Sequence, residues 1–143
     1  MLDWKNVAVK SLKNYKPMEV ALFCLSSEIE EIEWDMKKTQ KAVMDGLSVD
    51  SVKDIQLSRR IMLLKLEYRL KYTQKALEDI KQALLMLTEE DRTILSDFFV
   101  SNEGKSMEEM ARDLGYSLAT MYRKKDSALW NFAVNLHGIN MEK

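Results

Sequence analysis

The chain has 143 residues, 46% of them apolar, and 22 Lys and Arg stand against 23 Asp and Glu for a net charge of −1. That supports one domain with a real core, or a small domain with an appendage, and argues against a disordered tail as the default reading. The near-zero charge argues against coating nucleic acid by bulk charge, while leaving room for a local basic face.

Proline occurs once, at Pro17, and glycine at Gly46, Gly104, Gly115 and Gly138, against abundant Met, Leu, Glu and Lys. This composition reads as all-α. The single cysteine, Cys24, has no partner for an internal disulfide and no Cys/His neighbour for a metal, which points to a reducing, cytoplasmic setting. No apolar run approaches the roughly 18 to 20 residues of a membrane span, and "MLDWKNVAVKSLKNY" carries charges where a signal peptide needs an apolar block.

Charge comes in blocks: Lys5, Lys10, Lys13 and Lys16 first, then acidic "SSEIEEIEWD", basic "RRIMLLKLEYRLKYTQK" and acidic "TEED". Such blocks suit helices that pair by opposite charge. A short basic helix is expected around Trp4, Val7, Leu12 and Tyr15. From Met18, residues Leu22, Leu25, Ile29, Ile32, Met36, Thr39 and Val43 continue a coiled-coil seam with one polar member. Gly46 closes that helix in a left-handed conformation, and Ser51 with Asp54 marks the next start.

The second long segment repeats the seam at Leu63, Leu66, Leu70, Thr73, Leu77, Ile80, Leu84 and Leu87. The short connection predicts an antiparallel helical hairpin, with Thr39 near Gln56 and Leu25 near Leu70. Roughly ten residues of the second helix then project about 15 Å beyond the first, so Leu84 and Leu87 need cover from the short basic helix or from the C-terminal module. A second stripe, Ile61, Leu64, Tyr68 and Tyr72, calls for a third helix or for a second protomer, the latter making a homodimer. Trp34, beside Glu30, Glu31 and Glu33, is expected to pack against Trp4 or the first helix; an exposed indole in an acidic patch is the alternative, a protein-docking point. Phe23 lies on a similar side and suits either.

"LTEEDRTILSDFFV" resets the period, with Thr88 as N-cap, acids in the first turn, and Ile94, Leu95, Phe98 and Phe99 inward until "SNEG" stops it. "SMEEMARDLGYSLATMYRKKDSAL" then opens with a Ser106-x-x-Glu109 capping box and an inner face of Met107, Met110, Ala111 and Leu114. Gly115 turns the chain, Tyr116 plugs the turn, Ser117 caps the next helix, and Leu118, Met121 and Leu129 point inward. That is helix-turn-helix patterning. "NFAVNLHGINMEK" carries the last helix to a frayed end.

The outward side of this last helix offers Ser117, Ala119, Thr120 and Arg123, flanked by Tyr122, Lys124 and Lys125. Small side chains let a helix approach a major groove, hydroxyls and the helix N-terminus reach phosphates, and an arginine forks onto guanine O6 and N7. Thr120 and Arg123 are the expected base readers; Ser117, Tyr122 and Lys124 position the helix on phosphates. The bland alternative is a solvated basic face, which leaves unexplained why the bases gather after the turn and the acids before it.

Residues 87–129, with a Leu-x-x-x-x-Arg opening and "EEMARDLGYSLAT", resemble region 4 of bacterial sigma factors. The layout, with "DW" near the start, a long hairpin and "YRKKDSALWNFA" near the end, is similar to the sigma-like RinA/ArpU-type late transcription activators of Gram-positive bacteriophages. The resemblance implies a promoter-binding phage or prophage late-gene activator in the cytoplasm of a bacterial host, acting with host RNA polymerase on double-stranded DNA. It implies residues 1–86 as hairpin, for oligomerisation or partner binding, and residues 87–143 as DNA-binding domain. The hairpin lacks the aromatic, basic melting helix of a sigma region 2, and Met110 and Met121 replace the usual branched aliphatics.

His137 and Cys24 are far apart, no nucleophile motif includes either, and no calcium loop or phosphate cradle occurs, so neither an enzyme nor a cofactor is expected. Two further readings compete: a sigma-like adaptor or anti-sigma protein that binds polymerase without reading DNA, and a DNA-packaging protein of small-terminase type.

Overall fold

The computed structural model describes residues 3–101 and 104–138. These residues are all-helical: α1 (Trp4–Lys13), α2 (Tyr15–Met44), α3 (Val49–Leu85), α4 (Glu89–Leu95), a π-helical turn (Ser96–Val100), α5 (Met107–Leu114) and α6 (Leu118–His137). Two compact units result, one of Met1–Met18 with Ala76–Lys143 and one of Glu19–Lys75. The expected division at 86/87 falls inside the first unit, because α1 and the end of α3 share a core with the C-terminal helices.

In the unit Glu19–Lys75 the sequence period is visible in the burial. Leu22, Leu25, Ile32, Met36, Thr39 and Val43 of α2 are half-buried and Ile29 buried, and on α3 Leu63, Leu70 and Thr73 are half-buried and Leu66 buried. The polar member of the seam is satisfied within it. Arg59 Nη1 donates to Thr39 Oγ1 at 2.7 Å and to Gln56 Oε1 at 3.0 Å, and Gln56 Nε2 donates to the Met36 carbonyl at 3.2 Å. Thr39 donates in turn to the Asp35 carbonyl at 3.1 Å. The expected neighbourhood of Thr39 and Gln56 is therefore mediated by Arg59, which extends the seam one step below Leu63.

Gly46, at φ +120°, closes α2: the Leu47 amide reaches the Ala42 carbonyl and the Gly46 amide the Val43 carbonyl, the paired bonds of a Schellman turn. The next helix starts earlier than Ser51. It begins at Val49, and Ser51 lies in its first turn, its hydroxyl donating to the Ser48 carbonyl at 2.7 Å, a local bond that competes with capping. Trp34, expected to pack against Trp4 or α1, is 60% exposed and carries Lys38 above its ring; Trp4 instead meets Trp130 edge to face at 5.0 Å. Phe23 is 74% exposed.

In the other unit, Ala8 and Leu12 of α1, Ile80, Ala83, Leu84 and Leu87 at the end of α3, Leu95 of α4, and Ala128, Leu129, Phe132 and Ala133 of α6 form one buried cluster. Both candidates for covering Leu84 and Leu87 thus do so. α1 needs no proline tolerance, but α2 does: Pro17 sits in its first turn, where an amide hydrogen has no intrahelical acceptor. A second cluster gathers Ile94, Met107, Met110, Ala111 and Met121.

The two clusters are joined through the π-helical turn. Its extra residue per turn sets the consecutive Phe98 and Phe99 rings at 85° and 4.8 Å, with Phe99 against the first cluster and Phe98 against the second. The stop expected at "SNEG" comes at Val100, with Asn102 and Glu103 outside the described residues, as is the expected fraying at 139–143.

Leu12→Ala removes a fully buried side chain of α1 from the first cluster and is expected to destabilise this unit by about 2–5 kcal/mol. Urea unfolding followed by tryptophan fluorescence measures it; a loss near that of an exposed alanine substitution would place α1 outside the core.

Candidate nucleic-acid interface

The chain enters this region through Arg92. Its Nε donates to the Leu84 carbonyl at 3.2 Å, and its Nη2 to the carbonyls of Leu87 at 3.2 Å and Leu85 at 3.4 Å. A cation therefore covers the negative end of α3, where the last carbonyls lack intrahelical partners. Thr88 caps α4 by accepting the Asp91 amide at 3.2 Å, with Glu89, Glu90 and Asp91 in the first turn.

α5 opens on Ser106 as N-cap, the first half of the expected capping box: Ser106 Oγ accepts the Glu109 amide at 3.1 Å, and Glu109 reaches back to the Ser106 hydroxyl, which donates to Glu109 Oε1 at 3.3 Å. It closes on Gly115, at φ +75°, where the Tyr116 amide bonds the Ala111 carbonyl at 2.9 Å and the Gly115 amide the Arg112 carbonyl at 3.4 Å. A side chain at Gly115 would be strained in this left-handed conformation even though the space is open. Met107, Met110 and Ala111 are buried as expected, and so are Met121 and Leu129 on α6. Leu114 and Leu118 are not; they are 37% and 41% exposed. They are the last residue of α5 and the first of α6, at the tip of the turn, where the clusters no longer extend.

The predicted site residues fall on the first half of α6. Ser117 caps it, accepting the Thr120 amide at 3.1 Å. Its hydroxyl also donates to Thr120 Oγ1 at 2.9 Å, and Arg123 Nη2 donates to the same oxygen at 3.2 Å. Ser117, Ala119, Tyr122 and Arg123 are exposed, whereas Thr120, Lys124 and Lys125 are half-buried. Ser117, Thr120 and Arg123 thus form one connected polar group, with Ala119 leaving the helix surface low beside it.

The two lysines are held differently. Lys124 pairs with Glu90 at 3.3 Å and lies over the Tyr116 ring, while Lys125 stands over the rings of Phe98 and Tyr122 at 4.8 and 5.2 Å. Glu90 also accepts the Tyr116 hydroxyl at 2.9 Å. Tyr116 is thereby both plug, packed against the second cluster, and donor. The hydrogen bond from Tyr116, and after it that from Lys124, holds the Glu90 carboxyl below the usual carboxylate range against a smaller opposing effect of desolvation. Lys124 is raised above the usual lysine range, chiefly by its bond to Glu90.

Sequence reasoning missed this Glu90–Tyr116–Lys124 group, whose members lie 26 and 34 positions apart from end to end. An aromatic plug with a hydroxyl was the only signal available. Elsewhere on the unit Lys105 joins Asp113 at 3.0 Å and Asp97 at 3.7 Å, and Lys5 joins Asp126 at 3.2 Å. Among the described residues no group of three His, Cys, Asp or Glu side chains could hold a metal ion, and no helix is long and apolar enough to cross a membrane.

Because the folded-state carboxyl of Glu90 is depressed, its contribution to stability is complete above the ordinary carboxylate value and is lost as the pH falls through the lowered one. Thermal unfolding of wild type and Glu90→Gln from neutral to acid pH should therefore converge, the variant being less stable only on the neutral side. Parallel curves would mean that Glu90 makes no such contribution. Comparisons of the chain with protein-family models, curated proteins and solved structures each return no match.

Proposed function

We propose that the chain is a sequence-specific DNA-binding transcriptional regulator in which α5, the Gly115 turn and α6 act as a helix-turn-helix of the sigma region 4 kind. The observation that carries this reading is the connected Ser117–Thr120–Arg123 group on an exposed helix N-terminal half. Three successive bases follow in residues 123–125, with no acid between Asp113 and Asp126. Arg123 and Thr120 are the base-reading pair. Ser117, Tyr122 and Lys125 contact the backbone, and Lys124 joins them when it leaves Glu90.

With the resemblance to sigma-like phage activators, the function that fits is a late-gene activator working at a promoter with host RNA polymerase. The long α2–α3 pair serves there as a helical hairpin for assembly or partner binding. The exposed Trp34, with Glu30, Glu31 and Glu33 around it, favours one second reading. In it the chain is a polymerase-binding adaptor, and the indole is the docking point.

DNA selection from genomic fragments with wild type and Arg123→Ala tests the choice. The regulator reading expects one enriched motif that the variant loses, a drop of about tenfold or more in affinity for that site from removal of a forked arginine contact. It also expects affinity to fall steeply with salt, and Glu90→Gln, by freeing Lys124, to steepen the slope by about one released counterion. No motif and a flat salt response would leave the adaptor.

A further inference from the structure

We infer that the outward face of α3 is a self-complementary surface on which a second copy of this chain docks antiparallel, about a two-fold axis that passes between Met62 and Leu63. This goes beyond the DNA-binding reading and does not depend on it.

Leu57, Ile61, Leu64 and Tyr68 repeat at steps of four and three, and Tyr72 extends the row. All five are exposed, from 47% at Ile61 to 72% at Tyr68. The row lies on the side of α3 away from the seam of Arg59, Leu63, Leu66 and Leu70, so α2 does not cover it. Over these fifteen steps it runs about 22 Å. A continuous apolar stripe of this length at coiled-coil spacing is a helix-packing face without its helix.

The charges beside the stripe select the occupant. In heptad terms Leu57 and Leu64 are d positions, Ile61 and Tyr68 are a positions, and Arg60 and Glu67 are g positions. Antiparallel helices bring a opposite d and g opposite g. With Ile61 opposite the second copy's Leu64, Leu57 meets the second copy's Tyr68. Arg60 then meets the second copy's Glu67, and Asp54 the second copy's Lys71. The two-fold repeats each contact, giving four opposite-charge pairs around four apolar layers.

No neighbouring arrangement does this. A slip of one heptad in one direction sets Arg60 against its own copy, and in the other sets Glu67 against its own copy. A parallel pair sets Asp54 on Asp54, Lys71 on Lys71 and Arg60 beside Lys65. Like charges facing each other across an interface are costly, so one orientation and one register remain. The stripe is short beside a standard interface, which makes the association a concentration-dependent one.

Analytical ultracentrifugation of the full chain, without DNA, at concentrations up to about 100 µM tests it. The expected mass rises toward twice 16.7 kDa, and Leu64→Glu holds it at the monomer with unchanged helical circular dichroism. Arg60→Glu alone and Glu67→Arg alone should each weaken association by about tenfold, and the double variant should restore it, since the pair is then reversed on both copies. A monomer throughout, or a dimer indifferent to Leu64→Glu, overturns the interface. A dimer lost in Leu64→Glu but not rescued by the double reversal overturns the antiparallel register.

Discussion

The guanidinium of Arg92 holds the end of the long helix to the start of the next one. Three carbonyls at and just after the end of α3, those of Leu84, Leu85 and Leu87, converge on one planar cation, the fourth residue of the next helix. The last carbonyls of a helix lack intrahelical donors, and a cation bonding several at once supplies partners for them and offsets the negative end of the dipole. With that bend set, α4 is aimed so that Leu95 enters one cluster and Ile94 the other. The π-helical turn continues the same division with Phe99 and Phe98, and α6 spans both, Met121 in one and Phe132 in the other. The exposed half of α6 is therefore carried by a rigid backing that begins at a single side chain.

How far this could be read from the residues depended on the range of the interaction. Features set within one turn were legible: the caps at Thr88, Ser106 and Ser117, the left-handed glycines at Gly46 and Gly115, and a seam from Leu22 to Leu70 whose positions are all buried or half-buried. Features that join distant segments were not. Arg92 stood out only as part of a motif, without its role as a cap, because nothing local says which carbonyls it reaches. The partner of Tyr116, Glu90, lies in another helix, and the seating of Leu12 against Phe132 joins opposite ends of the sequence. Leu114 and Leu118 fit an inward periodicity and are exposed all the same, since a period describes a helix face and not the extent of whatever lies opposite.

The basic group on α6 carries its own restraint. Of three successive cations only Arg123 is exposed without an anion or ring beneath it, and it is steadied by Thr120; Lys124 rests on a carboxylate and Lys125 on two aromatic rings. Charge is thus presented from a defined place, with little of it free to wander on long side chains. Any anion that takes Lys124 has to displace Glu90, whose other oxygen stays with Tyr116. Contact at the surface is in this way tied to the plug of the turn, and a loose encounter is penalised relative to one that supplies a replacement charge.

The sharing of one core by residues from both ends has a meaning for biosynthesis. Ala8 and Leu12 are made more than a hundred residues before their neighbours Ala128, Leu129, Phe132 and Ala133. The unit of residues 19–75 has all its partners once α3 has left the ribosome, so it can close while translation continues. α1 cannot. An amphipathic helix must wait, with Leu12 incompletely covered, until α6 is out, which lengthens its exposure to chaperones and to other nascent chains.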